Sequence, residues 1–203
     1  MGIEMFFSKP VADCIRESKV IKYKVSKVRG MIVPHAGYMY SGKVAGAAYR
    51  LLKKGDYDRA IIIGPLHGSV ENEHSVKVQI PFLEYVLGKI EIVTILHGLD
   101  GDLNREVKEL EKRVDERTLA VASSDLSHYL RQEEAERIDQ ITIKSILSTK
   151  ADHIEACGKE AILILNGLAK LKGWKPQLVD YQTSGEATGD YGSVVGYASV
   201  IYL

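Results

Sequence analysis

Six histidines and two cysteines are the soft donors of this 203-residue chain, and three of the histidines share one kind of position. His35 follows the apolar run GMIVP, His67 follows AIIIGPL, and His128 closes LAVASSDLSH. If these runs are parallel strands, their carboxyl ends lie on one edge of a sheet, where open α/β folds bind ligands. Pro34 and Pro65 stiffen two of the exits, and Gly37, Gly64 and Gly68 permit close backbone approach. A lone loop histidine is ordinarily solvated or hydrogen-bonded; three at equivalent strand ends favour a common site. His97 also follows an apolar run, so position alone does not single out the set. His74 sits in a polar loop, and His153 reads as structural.

Cys157, in EACGKEAILIL, stands where a helix should begin. A helix N-terminus favours thiolate, the form that binds metal or attacks electrophiles; the competing reading is a small buried hydrophobe. Cys14, in VADCIRES, has no such setting and reads as core. Two imidazoles and a thiolate would suit copper, zinc or iron, although no tight Cys/His spacing marks a structural zinc site. Asp125, three residues before His128, could orient that histidine or act as acid/base. Ser123, Ser124 and Asp125 read equally well as a helix-capping turn. Glu186 and Asp190, in GEATGDYG, read as hairpin-turn residues. There is no G-x-S-x-G elbow, P-loop or GxGxxG.

The elements that must position these groups alternate. Apolar runs at 30–34, 59–65, 89–96 and 117–125 read as strands. Helical spacing follows the first, with Ser41 as cap candidate and Gly55 as terminator, and recurs at 103–114, 131–147 and 158–171. The last of these is apolar nearly all round, which predicts a buried helix. SVKVQIPFLEYVLG is ambiguous between strand and helix. Two β-rich runs, 176–184 and 193–203, read as an antiparallel edge hairpin. The expectation is one α/β domain over 1–203, with a mixed, largely parallel central sheet flanked by helices.

A hydrophobic fraction of 45% and a charged fraction of 27% suit a globular protein with a real core. Lys+Arg and Asp+Glu number 27 each, so the basic excess of a nucleic-acid binder is missing. No apolar run approaches the ~18 residues of a membrane span. The opening MGIEMFFSKP lacks the pattern of a signal peptide, and two distant cysteines make no disulfide framework. A cytoplasmic protein with reduced thiols is expected.

The blocks VPHAGYMYSG, IIIGPLHG, EHSVKVQIPFLEYV, SSDLSHY, CGKEAI and QTSGEATGDYGSVVGYASVIY, in this order, resemble the Memo family. The resemblance implies the fold of the class III extradiol dioxygenases, with a metal crevice at strand ends. It implies His35, His67 and Cys157 as metal ligands, copper or iron as the ion, and His128 lining the pocket with Asp125 beside it. It also implies either metal-dependent redox chemistry or peptide binding without catalysis, and a radical-SAM protein among the companions of microbial members. One departure is the short GSVEN between His67 and EHS, where longer members carry a substantial segment; this leaves the site more open. Another is Leu66, where many members have a polar residue.

Three readings follow. The first is a metal-dependent oxidoreductase acting on an unknown small molecule, with His128 and Asp125 moving protons. The second is a binding module in which His35, His67 and Tyr38 contact an anionic or peptide ligand. The third is metal handling without turnover. The ligand set ranks the first ahead.

Overall fold

The computed structural model describes residues 3–22, 25–68, 70, 73–97, 102–150 and 152–203. Three strands form its parallel heart: β1 (Gly30–Val33), β2 (Arg59–Pro65) and, in register with β2 throughout, β3 (Glu91–His97). β4 (Thr118–Ser123) lies between β1 and β2, parallel to both. The order β3-β2-β4-β1 continues into β7 (Val194–Tyr202), which is antiparallel to β1. β5 (His128–Leu130) and β6 (Pro176–Thr183) both pair antiparallel with β7. The mixed sheet expected from sequence is present, but it is less parallel than expected: among the described residues three strand pairings are parallel and three antiparallel.

Strands β1 and β4 are buried along their whole length because both faces of the sheet are covered. Alternate residues therefore feed two cores. Met31, Val33, Ala60, Ile62, Leu119 and Val121 face α1 (Val11–Glu17), α2 (Tyr38–Tyr49) and α3 (Ile80–Leu87). Ile32, Ile61, Ile63, Ala120 and Ala122 face α4 (Leu103–Arg113) and α6 (Lys159–Lys172). α5 (Gln132–Leu147) closes a smaller cluster of Leu126, Ile143 and Ala198. Each fully buried isoleucine contributes about 1.5–3 kcal/mol. α6 is largely buried, as its apolar circumference predicts.

Two local expectations are corrected and one ambiguity is resolved. Helix α2 starts at Tyr38, capped by the backbone of Gly37, and ends at Tyr49 rather than near Gly55. Ser41 is inside it, with a hydroxyl that donates back to the Ala36 carbonyl instead of capping. The 75–88 stretch is helical: a single 3₁₀ turn leads into α3, which Gly88 ends at φ 78°. The C-terminal ribbon is antiparallel, but only β6 is an edge strand. β7 uses residues 200–202 to pair with β1 on one side and β6 on the other, and a short helix, α7 (Gly185–Thr188), fills the connection.

Helices cross on one face after β1 and β2 and on the opposite face after β3. The carboxyl ends of β1, β2 and β4 thus border a crevice where the winding reverses. Among the described residues no helix is long and apolar enough to cross a membrane.

Candidate metal centre

His35 is two residues past β1, and its place is fixed before its ring is considered. Its backbone N–H donates to Asp125 Oδ1 at 2.8 Å, and the N–H of Ala36 reaches the same oxygen at 3.3 Å. The ring orientation follows from a chain of donors. Gln79 Nε2 donates to the Pro34 carbonyl and to Ser123 Oγ. The Ser123 hydroxyl donates to the Ser75 carbonyl at 2.5 Å. Its remaining lone pair accepts from His35 Nδ1 at 3.2 Å, so Nδ1 carries the proton and Nε2 is bare. Burial holds His35 near a pKa of about 4, the Asp125 carboxylate only partly offsetting it. The imidazole is neutral around pH 7 and has a lone pair to give.

His67, two residues past β2, is fixed in the same sense by a different partner. Buried Glu73 accepts the His67 backbone N–H at 2.5 Å, His67 Nδ1 at 3.0 Å and the Ser75 N–H at 2.8 Å. Burial pushes the Glu73 carboxyl up, but these donors outweigh it and hold the pKa at about 2. A carboxylate only accepts, so His67 Nδ1 is protonated and Nε2 is free. Gly64 lets this loop close, since a Cβ there would stand 2.7 Å from Ser75 Oγ.

Cys157 arrives on the loop before α6. Gly158 packs against the β4 exit and donates to Ser124 Oγ at 2.9 Å. The Asp125 N–H points at Cys157 Sγ from 3.3 Å. The expectation that a helix N-terminus activates this thiol is corrected: burial, with the nearby Asp125 carboxylate, pushes it up to about 12. The cause is position, for α6 begins two residues later and the side chain is half-buried, with less water around it than a free thiol has. A bound cation would reverse that balance.

The donor atoms of His35, His67 and Cys157 all lie within 4.8 Å of one another. Two oriented imidazole nitrogens and one sulfur, each held by further hydrogen bonds, fit a borderline or soft ion such as copper, iron or zinc. His67, Glu73 and His74 form a second close group, but there the carboxylate is committed to three N–H donors.

The other expected residues divide. His128 does line the crevice, a space of about 550 Å3. It is not at the end of a parallel strand, however, but opens β5. Its Nδ1 donates to the Leu126 carbonyl at 2.8 Å, leaving Nε2 free. Asp125 also lines the crevice, yet its polar partners are the backbone of 35–36, not His128. No helix starts at Ser123–Asp125, so the capping reading falls away. Tyr38 is buried and donates to the Val78 carbonyl, out of reach of a crevice ligand; Tyr40 lines the wall instead. His97 is tied to Glu106 away from the site, and His153 is exposed. Cys14 is buried core. Glu186 and Asp190 keep local roles, accepting from Thr183 and Gly192. The sequence reading missed Glu73, Gln79 and His74; the last stacks between Phe6 and His67. The available signal was an acid six residues after His67.

An α/β sheet with a two-histidine, one-cysteine cluster at its carboxyl edge defines a candidate metalloprotein. The Memo-like protein family model matches residues 7–73 and 67–201. A MEMO1 family protein of Methanococcoides burtonii is 33% identical over 249 aligned positions, covering 95% of this chain and 92% of its own. One from Archaeoglobus fulgidus is 31% identical over 233 positions, covering 88% of each. One from Thermoplasma acidophilum is 30% identical over 226, covering 85% and 84%. The chain belongs to the Memo family. The two family matches meet in the loop after His67, and the alignments run longer than the 203 residues of this chain. The relatives therefore carry segments with no counterpart here.

Proposed function

We propose that His35, His67 and Cys157 hold a copper or iron ion, and that the protein is a metal-dependent oxidoreductase acting on a small molecule in the open crevice. The proposal includes the class III extradiol dioxygenase-like fold and a reducing, cytoplasmic setting in which Cys157 stays a thiol. The observation that carries it is the convergence of three donor atoms within 4.8 Å, two of them imidazole nitrogens left bare by their hydrogen bonds.

A bound redox-active ion would supply electron transfer and Lewis acidity at the crevice floor. The chain's own groups do the rest. Ser123 and Glu73 keep both imidazoles pointing inward. Phe6, Tyr40 and Tyr129 wall the open crevice and offer aromatic surface to a bound molecule. His128 Nε2 is a free acceptor on the same wall and can take or return a proton. Asp125 acts through His35 by holding its backbone, a positioning role. Ring cleavage as in the dioxygenases is not carried over, because a thiolate takes the place of their carboxylate ligand and changes the metal's potential.

Metal analysis of untagged protein tests the reading, with Cys157→Ala and His67→Ala beside it. Copper or iron near one per chain, lost in both variants, supports it. No metal after anaerobic reconstitution overturns it and leaves ligand binding without catalysis as the use of the crevice.

A further inference from the structure

Among the described residues β3, β5 and β6 each pair with a single neighbour, and these three sheet edges are not alike. An edge strand offers unpaired N–H and C=O groups to any other chain, and natural proteins blunt it with proline, charge, bulges or brevity. β6 opens on Pro176, shifts register between Leu178 and Asp180, and carries the Asp180 carboxylate, which Lys19 meets at 3.6 Å. β5 is three residues long, with a register shift around Tyr129 at φ 59°. β3 has none of these devices. Its sequence EIVTILH contains no proline or lysine, and all seven residues keep register with β2.

β3 is also short of cover on both faces. Val93 and Ile95 are only partly buried, whereas Ile61 and Ile63, their register partners on β2, are fully buried. On the opposite face Ile92 and Leu96 are partly buried and Thr94 between them is exposed. A strand apolar on both faces has the pattern of a sheet interior, not of an edge.

The backbone fixes which residues could take a further strand. The Glu91 N–H donates to the Asp58 carbonyl, and the His97 carbonyl accepts from the Leu66 N–H. In a parallel ladder alternate residues turn both backbone groups to the same side. Residues 91, 93, 95 and 97 therefore face β2, and Ile92, Thr94 and Leu96 present theirs outward.

These three positions are symmetric about Thr94. If β3 meets a second β3 antiparallel across a two-fold axis at Thr94, Thr94 lies opposite itself and Ile92 opposite Leu96. Each is then a hydrogen-bonded pair exchanging two N–H···O bonds. Val93 meets Ile95, and Glu91 meets His97. Glu91 is the strand's only acid and has Arg59 at 3.8 Å in its own chain, so no like charges are opposed. Apolar side chains meet apolar ones on both faces.

We propose that a second copy of this chain pairs with β3 in this register and continues the sheet across a closed two-fold interface. The partner strands run in opposite directions, so the two crevices open at opposite ends of the extended sheet and stay accessible. The inference is independent of the metal reading. Strand pairing buries little area, so the dimer is weak, with a dissociation constant on the order of 10 µM.

Sedimentation equilibrium of the full chain, from about 1 µM to about 0.5 mM, tests it. A monomer–dimer equilibrium is expected. Thr94→Lys sets like charges face to face, and Thr94→Pro removes an N–H that β2 does not use. Each should weaken the dimer at least about tenfold while the dilute monomer keeps its helical circular dichroism. Under mild oxidation Thr94→Cys should cross-link rapidly, since the two introduced thiols are adjacent. Glu91→Cys should not, because its two copies stand roughly 20 Å apart. A chain that stays monomeric to the highest concentration overturns the inference. So does a dimer that both Thr94 variants leave intact, growth past the dimer, or cross-linking through Glu91→Cys in preference to Thr94→Cys.

Discussion

The sulfur of Cys157 lies 3.2 Å from Nε2 of His35, across 122 positions of sequence. Neither residue reaches that point by its own element. His35 is held by Asp125 from the β4 exit, and Cys157 by Gly158 packed on the same exit. The end of β4 is therefore the jig on which both donors are set.

Gly158 gives the first test. A Cβ there would stand 2.6 Å from the Ser123 carbonyl oxygen and 2.8 Å from Ser124 Cβ. Gly158→Ala must push the loop away and take Cys157 with it, at a cost of about 1–3 kcal/mol. Metal content should fall nearly as far as in Cys157→Ala. Gly173→Ala is the control: its φ of 74° makes alanine unfavourable by roughly 1–2 kcal/mol, but the space is open and the site is untouched. Thermal melts and metal analysis of both variants check this; full metal content in Gly158→Ala would show that the packing does not set the donor.

Asp139 gives a pH test. Burial raises its carboxyl above the usual range, and the N–H of Ser127 and the hydroxyl of Tyr181 offset this only in part. A carboxyl with a higher pKa folded than unfolded binds more protons in the folded state. Its charged form thus costs stability above the folded pKa, and that cost vanishes as pH falls toward the unfolded value. Asp139→Asn cannot titrate. Relative to the parent, it should fare best near neutral pH and lose ground in mild acid. Urea midpoints for both proteins at the two conditions read this out; a constant or reversed difference refutes it.

Helices α1 and α2 meet at a point that tolerates no added atom. A Cβ on Gly42 would stand 2.5 Å from Cys14 Sγ. Gly42→Ala is expected to destabilise by about 1–3 kcal/mol. Cys14→Ala opens space at the same spot, so the double variant should lose less than the sum of the singles, a coupling of about 0.5–3 kcal/mol. Additivity within error in a double-mutant cycle would place the strain elsewhere.

Much of the scaffold is legible because β1, β2 and β4 are unbroken apolar runs, which only a sheet covered on both faces makes stable. The approach of His35, His67 and Cys157 was legible as a resemblance, and as strand-end placement for two of them. What was not legible depends on distant partners. Asp125 has His128 three residues away, yet bonds the backbone of His35 ninety residues away. β7 looks like half of a hairpin until β1 claims its other edge. Helix α2 begins without a side-chain cap, so its tyrosines resemble loop residues. The thiol argument failed because helix-end potential is local, whereas burial depends on the whole fold.

Glu73 shows the same limit most clearly, and its removal is the most telling experiment. An acid in a polar loop looks solvated, but this one is buried beneath three N–H donors and fixes the proton on His67 Nδ1. Glu73→Gln keeps the shape and replaces one acceptor oxygen with a donor, which must then face an N–H. His67 loses its anchor and its enforced tautomer. Metal affinity should fall about 10- to 100-fold, the range for removing the carboxylate behind a ligating histidine. If Glu73 merely stabilised the loop, melting temperature would drop while affinity held. If it orients the ligand, affinity falls and the copper EPR spectrum changes even where the protein is fully folded. Competition titrations against a chelator, run beside melts and EPR on the same samples, separate the two roles; unchanged affinity with an unchanged spectrum would remove Glu73 from the metal centre.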